Sequence, residues 1–335
     1  MTVELEPLSV LAAYPEECRS TEVEFLGSAG GFSGALFWRV KTRAGLLCLR
    51  RWPRGHPSAE RLEFIQAVLW HVVREGFDLL PLPLATRRQK GYVRHGGHFW
   101  ELAPWMPGEA GFRKNPTDEK LTAAMTALAR FHRAARLFPL PDPPESPSPG
   151  MHGRLQQLQK WVAGDLDRLI ESVEPGYWPE VEERAARLFP LVREAAGSVL
   201  GLLKASVDCR VSLQPCIRDV WHDHVFFEED RVSGLIDFGS MATDHVATDV
   251  ARLLGSMACD DRRRWQVGLD AYGSVRPLSE AELPLISAFD QSTVLMAGLN
   301  WIDWIYRQRR VFDNHEAIPP RLDEIITRLE HLAGR

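Results

Sequence analysis

Residues 216–240 read CIRDVWHDHVFFEEDRVSGLIDFGS, a dense run of polar side chains set in an apolar frame. The segments VFF and SGLI are separated by charged and turn-forming residues, so the stretch reads as loop, strand, turn, strand. A hairpin of that length brings its ends together, and with them Asp219 and Asp237. Paired carboxylates suit a phosphoryl-transfer centre, where one accepts the proton of an attacking hydroxyl and the other holds the cation that bridges nucleotide phosphates. The plainer alternative is that Asp219 caps a turn and Asp237 begins one. His222, Asp223 and His224 stand between them. If they form a strand entering the core, His222 and His224 share a face that Asp223 opposes, which weighs against a dedicated zinc cluster.

Upstream, Val23 to Arg51 alternates in strand fashion through EFLG, ALFWRVKT and LLCLRRW, which are separated by the glycine-rich GSAGGFSG and by RAG. Gly27, Gly30, Gly31 and Gly34 lie between two of these strands, where missing side chains let backbone N–H groups approach phosphates. A plain glycine-rich hairpin would look the same. SAERLEFIQAVLWHVVREG, residues 58–76, opens with a Ser cap, and Leu62, Ile65 and Leu69 fall at helical spacing. Two further strands, LATRRQ and GHFWELAPW, are expected on either side of a turn at KGYVRHGG. After Pro107-Gly108 the pattern turns helical, with helices expected at 117–138, 152–173, 178–205, 279–311 and 320–333. PLPDPPESPSPG, residues 139–150, reads as a surface loop. The expected organisation is a sheet-bearing domain over residues 1–102 with one helix, then a mostly helical domain over 103–335 that carries the hairpin.

At 335 residues the chain can bury two cores. A formal charge of −5 with dispersed basic residues argues against nucleic acid as a partner. Five cysteines, an odd number without a Cys-x-x-Cys pair, fit a reducing compartment. The first twenty residues carry acids where a secretory signal carries bases, and no apolar run reaches the roughly 20 residues that span a bilayer. A soluble, cytoplasmic protein without membrane partners is therefore expected. Oligomeric state is not legible.

These elements resemble the aminoglycoside phosphotransferase and choline kinase group, which is related in fold to protein kinases. Ile217-Arg218-Asp219 and His224 occupy the positions of that family's His-Gly-Asp-x-x-x-x-Asn loop, and Leu235-Ile236-Asp237-Phe238-Gly239 those of its metal motif. Asp244 and Ala247-Thr248-Asp249-Val250-Ala251 are similar to its Asp-Pro-x-x-Asp-Leu-Ala segment, whose last Asp steadies the catalytic loop. Leu128 to Ala134 is similar to its Leu-Ala-x-Leu-His helix end.

The resemblance implies an α+β, bilobal protein kinase-like fold with a small antiparallel-sheet N-lobe and a mostly helical C-lobe. It also implies ATP-dependent transfer of the γ-phosphate to a small-molecule hydroxyl. Asp219 is then the catalytic base, Asp237 the main metal ligand and His224 the occupant of the second metal position. Gly30, Gly31 and Arg50 would meet the nucleotide phosphates, and Glu63, or Glu60 one turn away, would pair with Arg50. Glu101 to Gly108 would form the hinge whose backbone meets adenine, with Glu101 and Ala103 as its first contacts. ATP and Mg²⁺ are the expected cofactors. An imidazole at position 224 also suits Mn²⁺, because magnesium prefers oxygen. The departures at Ile217, Arg218 and His224 leave a second reading, a nucleotide-binding pseudokinase or scaffold, although protein kinases also place Arg before their catalytic Asp. For the acceptor, Asn300, Trp301, Asp303, Trp304 and Tyr306 form either a pocket for a cation or a packed helical stripe, with Asp303 pairing Arg307 four residues on.

Overall fold

The computed structural model describes residues 5–28, 34–43, 45–140, 145–312 and 314–334. In chain order its elements are α1 Leu5–Leu11, β1 Ser20–Gly27, β2 Leu36–Thr42, β3 Gly45–Arg51, α2 Ala59–Arg74, β4 Val93–His95 and β5 His98–Pro104. There follow α3 Asp118–Ala135, β6 Glu145–Pro147, α4 Pro149–Lys160, α5 Leu166–Glu171, α6 Pro179–Ser206, β7 Arg210–Ser212 and β8 Gln214–Cys216. The last are β9 Val225–Glu228, β10 Arg231–Leu235, β11 Ala242–Asp244, α7 Ala247–Ala258, α8 Arg262–Gly273, α9 Glu282–Ile302 and α10 Ile318–Ala333. The fold is α+β, an antiparallel sheet with one long helix followed by a mostly helical part.

Residue contacts divide the chain into two compact units, one of 1–115 with 223–240 and one of 116–222 with 241–335. This division differs from a cut at 102/103, because the hairpin β9–β10 is bonded into the first unit. Glu109 and Phe227 exchange backbone hydrogen bonds of 3.2 and 2.9 Å, Leu235 N–H donates to the Leu79 carbonyl at 2.8 Å, and the Ser233 hydroxyl donates to the Pro107 carbonyl. Gly108 has a φ of +79°, and a Cβ there would strike the Phe227 carbonyl, so only glycine lets the segment cross so closely.

The first unit is built on an antiparallel sheet of order β1-β2-β3-β5-β4. Alternation sends Trp38, Val40, Leu47, Leu49, Trp100 and Leu102 into one core, which Val10, Leu11 and Tyr14 of the N-terminal segment complete. In α2 the Ser58 cap accepts from Arg61 N–H, and Leu62, Ile65, Leu69 and Val72 are buried. β4 lies inside the turn expected at 90–97, and residues 84–89 are not a strand. There Thr86 N–H donates to the Lys90 carbonyl and Gln89 takes φ +58°, which closes a tight turn.

The second unit is mostly helical. Thr117 caps α3 by accepting from Lys120 N–H, and α3 carries eleven buried positions. α4 runs through a π-helical turn at Trp161–Asp165 into α5, with Gly164 at φ +113° relieving the distortion. Two helices that the hydrophobic pattern had not delimited, α7 and α8, lie between the hairpin and α9. Part of the proline-rich loop is ordered as β6, which pairs with β7. Ser148, at its end, caps α4. No helix of the described residues is long and apolar enough to cross a membrane.

Candidate active site

In the first unit β3 delivers Arg50 to Asp237, with Nη2 donating to Oδ1 at 3.1 Å. The guanidinium lies 3.5 Å over the Trp52 ring and 5.4 Å from the centroid of Phe37. This fixes its plane. Arg50 Nε is buried and has no hydrogen-bond partner among the described residues. The second oxygen of Asp237 lies 3.8 Å from His224 Nε2. Burial presses the Asp237 pKa upward, but the charges of Arg50 and His224 and the bonds from Arg50 and Gly239 N–H outweigh it and hold the carboxyl below its usual range. Asp237 has φ +58°, a left-handed conformation rare for a side-chain-bearing residue.

Behind Arg50 lies a carboxylate with a different role. Arg50 and Glu101 are cross-strand partners, and Glu101 is buried. Its oxygens accept from Gln66 Nε2 at 2.6 Å and from the Trp52 indole. Burial raises its pKa more than Gln66, Arg50 and Trp52 lower it. Trp52 thus stacks on Arg50 while anchored by Glu101.

Arg50, Asp237 and His224 are brought together as a group. Glu63 is not brought to Arg50: it accepts from Lys90 at 3.2 Å and from the Tyr92 hydroxyl at 3.0 Å, on the exposed side of α2. Glu60 is likewise exposed, bonded to Ser58 and its own backbone. The polar α2 residue that turns inward is Gln66, at 2% exposure. Glu101 and Ala103 lie within β5 opposite Arg50 and Cys48. Trp52 N–H bonds to the Phe99 carbonyl and Trp105 N–H to the Leu46 carbonyl, so by antiparallel alternation the 50/101 and 48/103 pairs are the mutually hydrogen-bonded ones. The backbones of Glu101 and Ala103 are therefore committed to the sheet. Gly30 and Gly31 lie outside the described residues. His222–His224 forms a 3₁₀ turn, with the strand starting at Val225, so the alternation expected of a strand does not apply there.

In the second unit Asp219 follows β8 and its Oδ1 accepts from Arg252 Nε at 3.0 Å. The loop before it is held by Asp249, which is fully buried in the first turn of α7. Asp249 accepts Ile217 N–H at 2.7 Å, Arg218 N–H at 2.6 Å and His132 Nε2 at 3.0 Å. His132 Nδ1 meets the Tyr272 hydroxyl at 2.8 Å, and burial keeps the imidazole pKa low, beyond what Asp249 restores. Arg218 has φ +70°, which explains how a glycine serves at this position in the resembling family. Asp249→Ala would leave the buried Ile217 amide and the half-buried Arg218 amide unbonded, and a loss of about 2–4 kcal/mol in stability, read by denaturant melts, is expected. A loss under about 1 kcal/mol would show that the loop does not depend on Asp249.

Three residues escaped the sequence reading. Gln66 is the polar residue inside the apolar stripe of α2, and Arg252 lies three residues after Asp249 on the same helical side. Trp52, next to a strand arginine, carried no distinguishing signal. The aromatic segment of α9 and the turn after it packs as a core. Trp301 is buried against Trp304 and Phe312, Tyr306 is buried, and Asp303 pairs Arg307 at 3.1 Å.

A model of the family described as phosphotransferase enzyme family, APH, matches residues 25–282. The homoserine kinase of Agrobacterium fabrum is 32% identical over 250 residues, covering 73% of this chain and 70% of that one. That of Rhizobium johnstonii is 31% identical over 136 residues, only 39% of this chain and 42% of the relative. A spectinomycin phosphotransferase solved with ADP and spectinomycin superposes with a TM-score of 0.64 at 10% identity, over 94% of each chain. The chain belongs to the phosphotransferase enzyme family. It is a small-molecule kinase that moves a phosphoryl group from ATP to a hydroxyl.

Proposed function

We propose that Asp237 and His224 hold the divalent cation that accompanies ATP, that Arg50 binds phosphate oxygens, and that Asp219 accepts the proton of the acceptor hydroxyl. One observation carries the nucleotide half of this reading. Arg50 Nε, buried and without a hydrogen-bond partner among the described residues, sits beside a carboxylate whose other oxygen is 3.8 Å from an imidazole nitrogen. A buried donor without an acceptor costs about 1–3 kcal/mol, and a phosphate oxygen would remove that cost. The carboxylate and imidazole together form a donor set that fits a divalent ion, with Mn²⁺ suited better than Mg²⁺. When bound, the cation supplies charge neutralisation at the phosphate oxygens. Arg50, fixed by Trp52 and Asp237, needs little reorganisation to meet the same charge. Asp219, held by Arg252 on a loop clamped by Asp249, has the carboxylate chemistry of a general base.

Thermal melts with ATP, with and without each metal, test the nucleotide half: stabilisation that grows with the cation supports it, and indifference to the cation removes it. His224→Asn exchanges nitrogen for an oxygen donor. The wild type is expected to turn over faster with Mn²⁺ than with Mg²⁺, and the variant to move toward Mg²⁺ by about tenfold in relative rate. An unchanged metal ratio would show that His224 is not a ligand. The homoserine kinases among its relatives and the spectinomycin complex among similar folds support screening amino-acid alcohols and amino sugars as acceptors, with choline, ketosamines and nucleosides beside them.

A further inference from the structure

Arg154, on α4 in the second unit, is a half-buried cation without a carboxylate partner among the described residues. Among the described residues its Nη1 alone is engaged, donating to Ser292 Oγ at 3.1 Å, Thr293 Oγ1 at 2.9 Å and the Phe289 carbonyl at 3.4 Å. Both hydroxyls spend their own protons on backbone carbonyls of α9, Ser292 on Ala288 and Phe289, Thr293 on Phe289. They therefore meet Arg154 as acceptors. The Phe289 ring centroid lies 5.1 Å from the guanidinium carbon. Position and plane are thus set through one nitrogen, and the Nε–Nη2 edge keeps the two parallel donors that match a carboxylate.

The surrounding charges leave Arg154 as the surplus cation. It lies within electrostatic reach of Asp244, Arg218, Arg252 and Asp290. The two carboxylates among these already have an arginine of their own, Asp244 with Arg218 at 3.5 Å and Asp290 with Arg328 at 2.9 Å, and Asp219 in the same unit has Arg252 at 3.0 Å. Asp244 Oδ1 further accepts from Ser148, Gly150 N–H and His245 N–H, while its buried Oδ2 makes no hydrogen bond among the described residues and has the Arg218 ion pair. Burial, uncompensated by a paired charge, holds the Arg154 pKa down to about 10. Two of the arginines it senses, Arg218 and Arg252, flank Asp219. One turn along α4, Gln157 donates to Asn300 at 2.9 Å, so that face continues with neutral amides.

Resting on the reading of Asp219 as the base, we propose that Arg154 is a specificity residue whose Nε–Nη2 edge binds a carboxylate of the acceptor, so that the substrate class is a small hydroxy acid. A cationic acceptor would meet an unneutralised positive charge there, whereas a hydroxy acid completes the fourth ion pair.

Matched probes test this: L-homoserine and its amide, and 4-hydroxybutyrate and its amide, each assayed for phosphoryl transfer by the full chain with ATP and metal. The acids are expected to exceed the amides in kcat/KM by about 100-fold. Arg154→Met should erase that ratio, mainly through KM, while leaving ATP affinity and the rate on the amides unchanged. Arg154→Lys, which keeps the charge but not the fork, should lose about tenfold on the acids alone. Binding of the unreacted acids, read by ligand-observed NMR on wild type and Arg154→Met, gives a result independent of turnover. Acids bound by the wild type and lost in the variant support the site. Equal use of acids and amides, equal loss on both, or weakened ATP binding in Arg154→Met would each overturn it. So would tighter binding of a phosphonate analogue than of the acid, which would assign the edge to a phosphorylated acceptor. Transfer to no alcohol at all, with the carboxylate still bound through Arg154, would instead count against Asp219 as the base.

Discussion

Asp219→Asn is expected to lower kcat by about 10²–10⁴ while the affinity for ATP with metal stays near that of the wild type. The reason lies in what the substitution spares. Asparagine keeps an oxygen for Arg252 Nε, which Asp219 Oδ1 now engages at 3.0 Å, and Asp249 clamps the loop through the backbone of Ile217 and Arg218 rather than through residue 219. The Asp219 side chain is about half exposed, at 49%, so its ion pair contributes roughly 0–1 kcal/mol and the fold should survive its loss. On the proposed reading only proton acceptance is removed. Single-turnover kinetics beside calorimetric ATP titration would measure both quantities. If binding and turnover fell together, Asp219 would belong to nucleotide binding and not to proton transfer.

Asp237→Ala should separate two roles that the native carboxylate combines. Its Oδ1 holds Arg50 and its Oδ2 faces His224, so removing it takes away the proposed charged ligand and also frees the Arg50 guanidinium. Metal-dependent ATP affinity is expected to vanish, while metal-free ATP binding persists because Arg50 can turn fully toward phosphate. Turnover should fall by about 10³-fold, since transition-state charge then lacks several kcal/mol of stabilisation. Titrations of ATP with and without Mn²⁺ are the measurement, and an undiminished metal effect in the variant would show that the ion is held elsewhere.

The alternation of residues 23–51 made the first three strands legible because one face of each must be buried, and the glycines and the RAG turn punctuated them. Asp219 and Asp237 were singled out because the apolar segments VFF and SGLI between them read as a hairpin, whose two ends meet. Glu63 could not be placed the same way. Helix α2 has one buried stripe, and a shift of about 100° per residue decides whether a side chain meets Arg50 or solvent. Glu63 sits one residue past buried Leu62 and reaches Lys90, while Gln66 occupies the inward face. The hairpin's membership was hidden for another reason. Its partners, Leu79, Pro107 and Glu109, are bonded through backbone atoms that carry no sequence signature. Arg154 was invisible because an arginine on a helix is ordinary until the carboxylates around it are each found to have another partner.

The discontinuity of the first unit bears on how the protein is made. Its sheet is complete in the chain by residue 104, but residues 223–240, which bring Asp237 to Arg50, leave the ribosome more than a hundred residues later. Until then a nascent N-terminal segment holds Arg50 between Phe37 and Trp52 without its carboxylate, and Gly108 and Glu109 without the strand they cross. Pairings of such long sequence separation form late and slowly. A fragment ending at residue 115 would therefore carry the five-stranded sheet without the hairpin β9–β10 that is bonded to it, and the first unit is not a module that a gene could donate by a single cut.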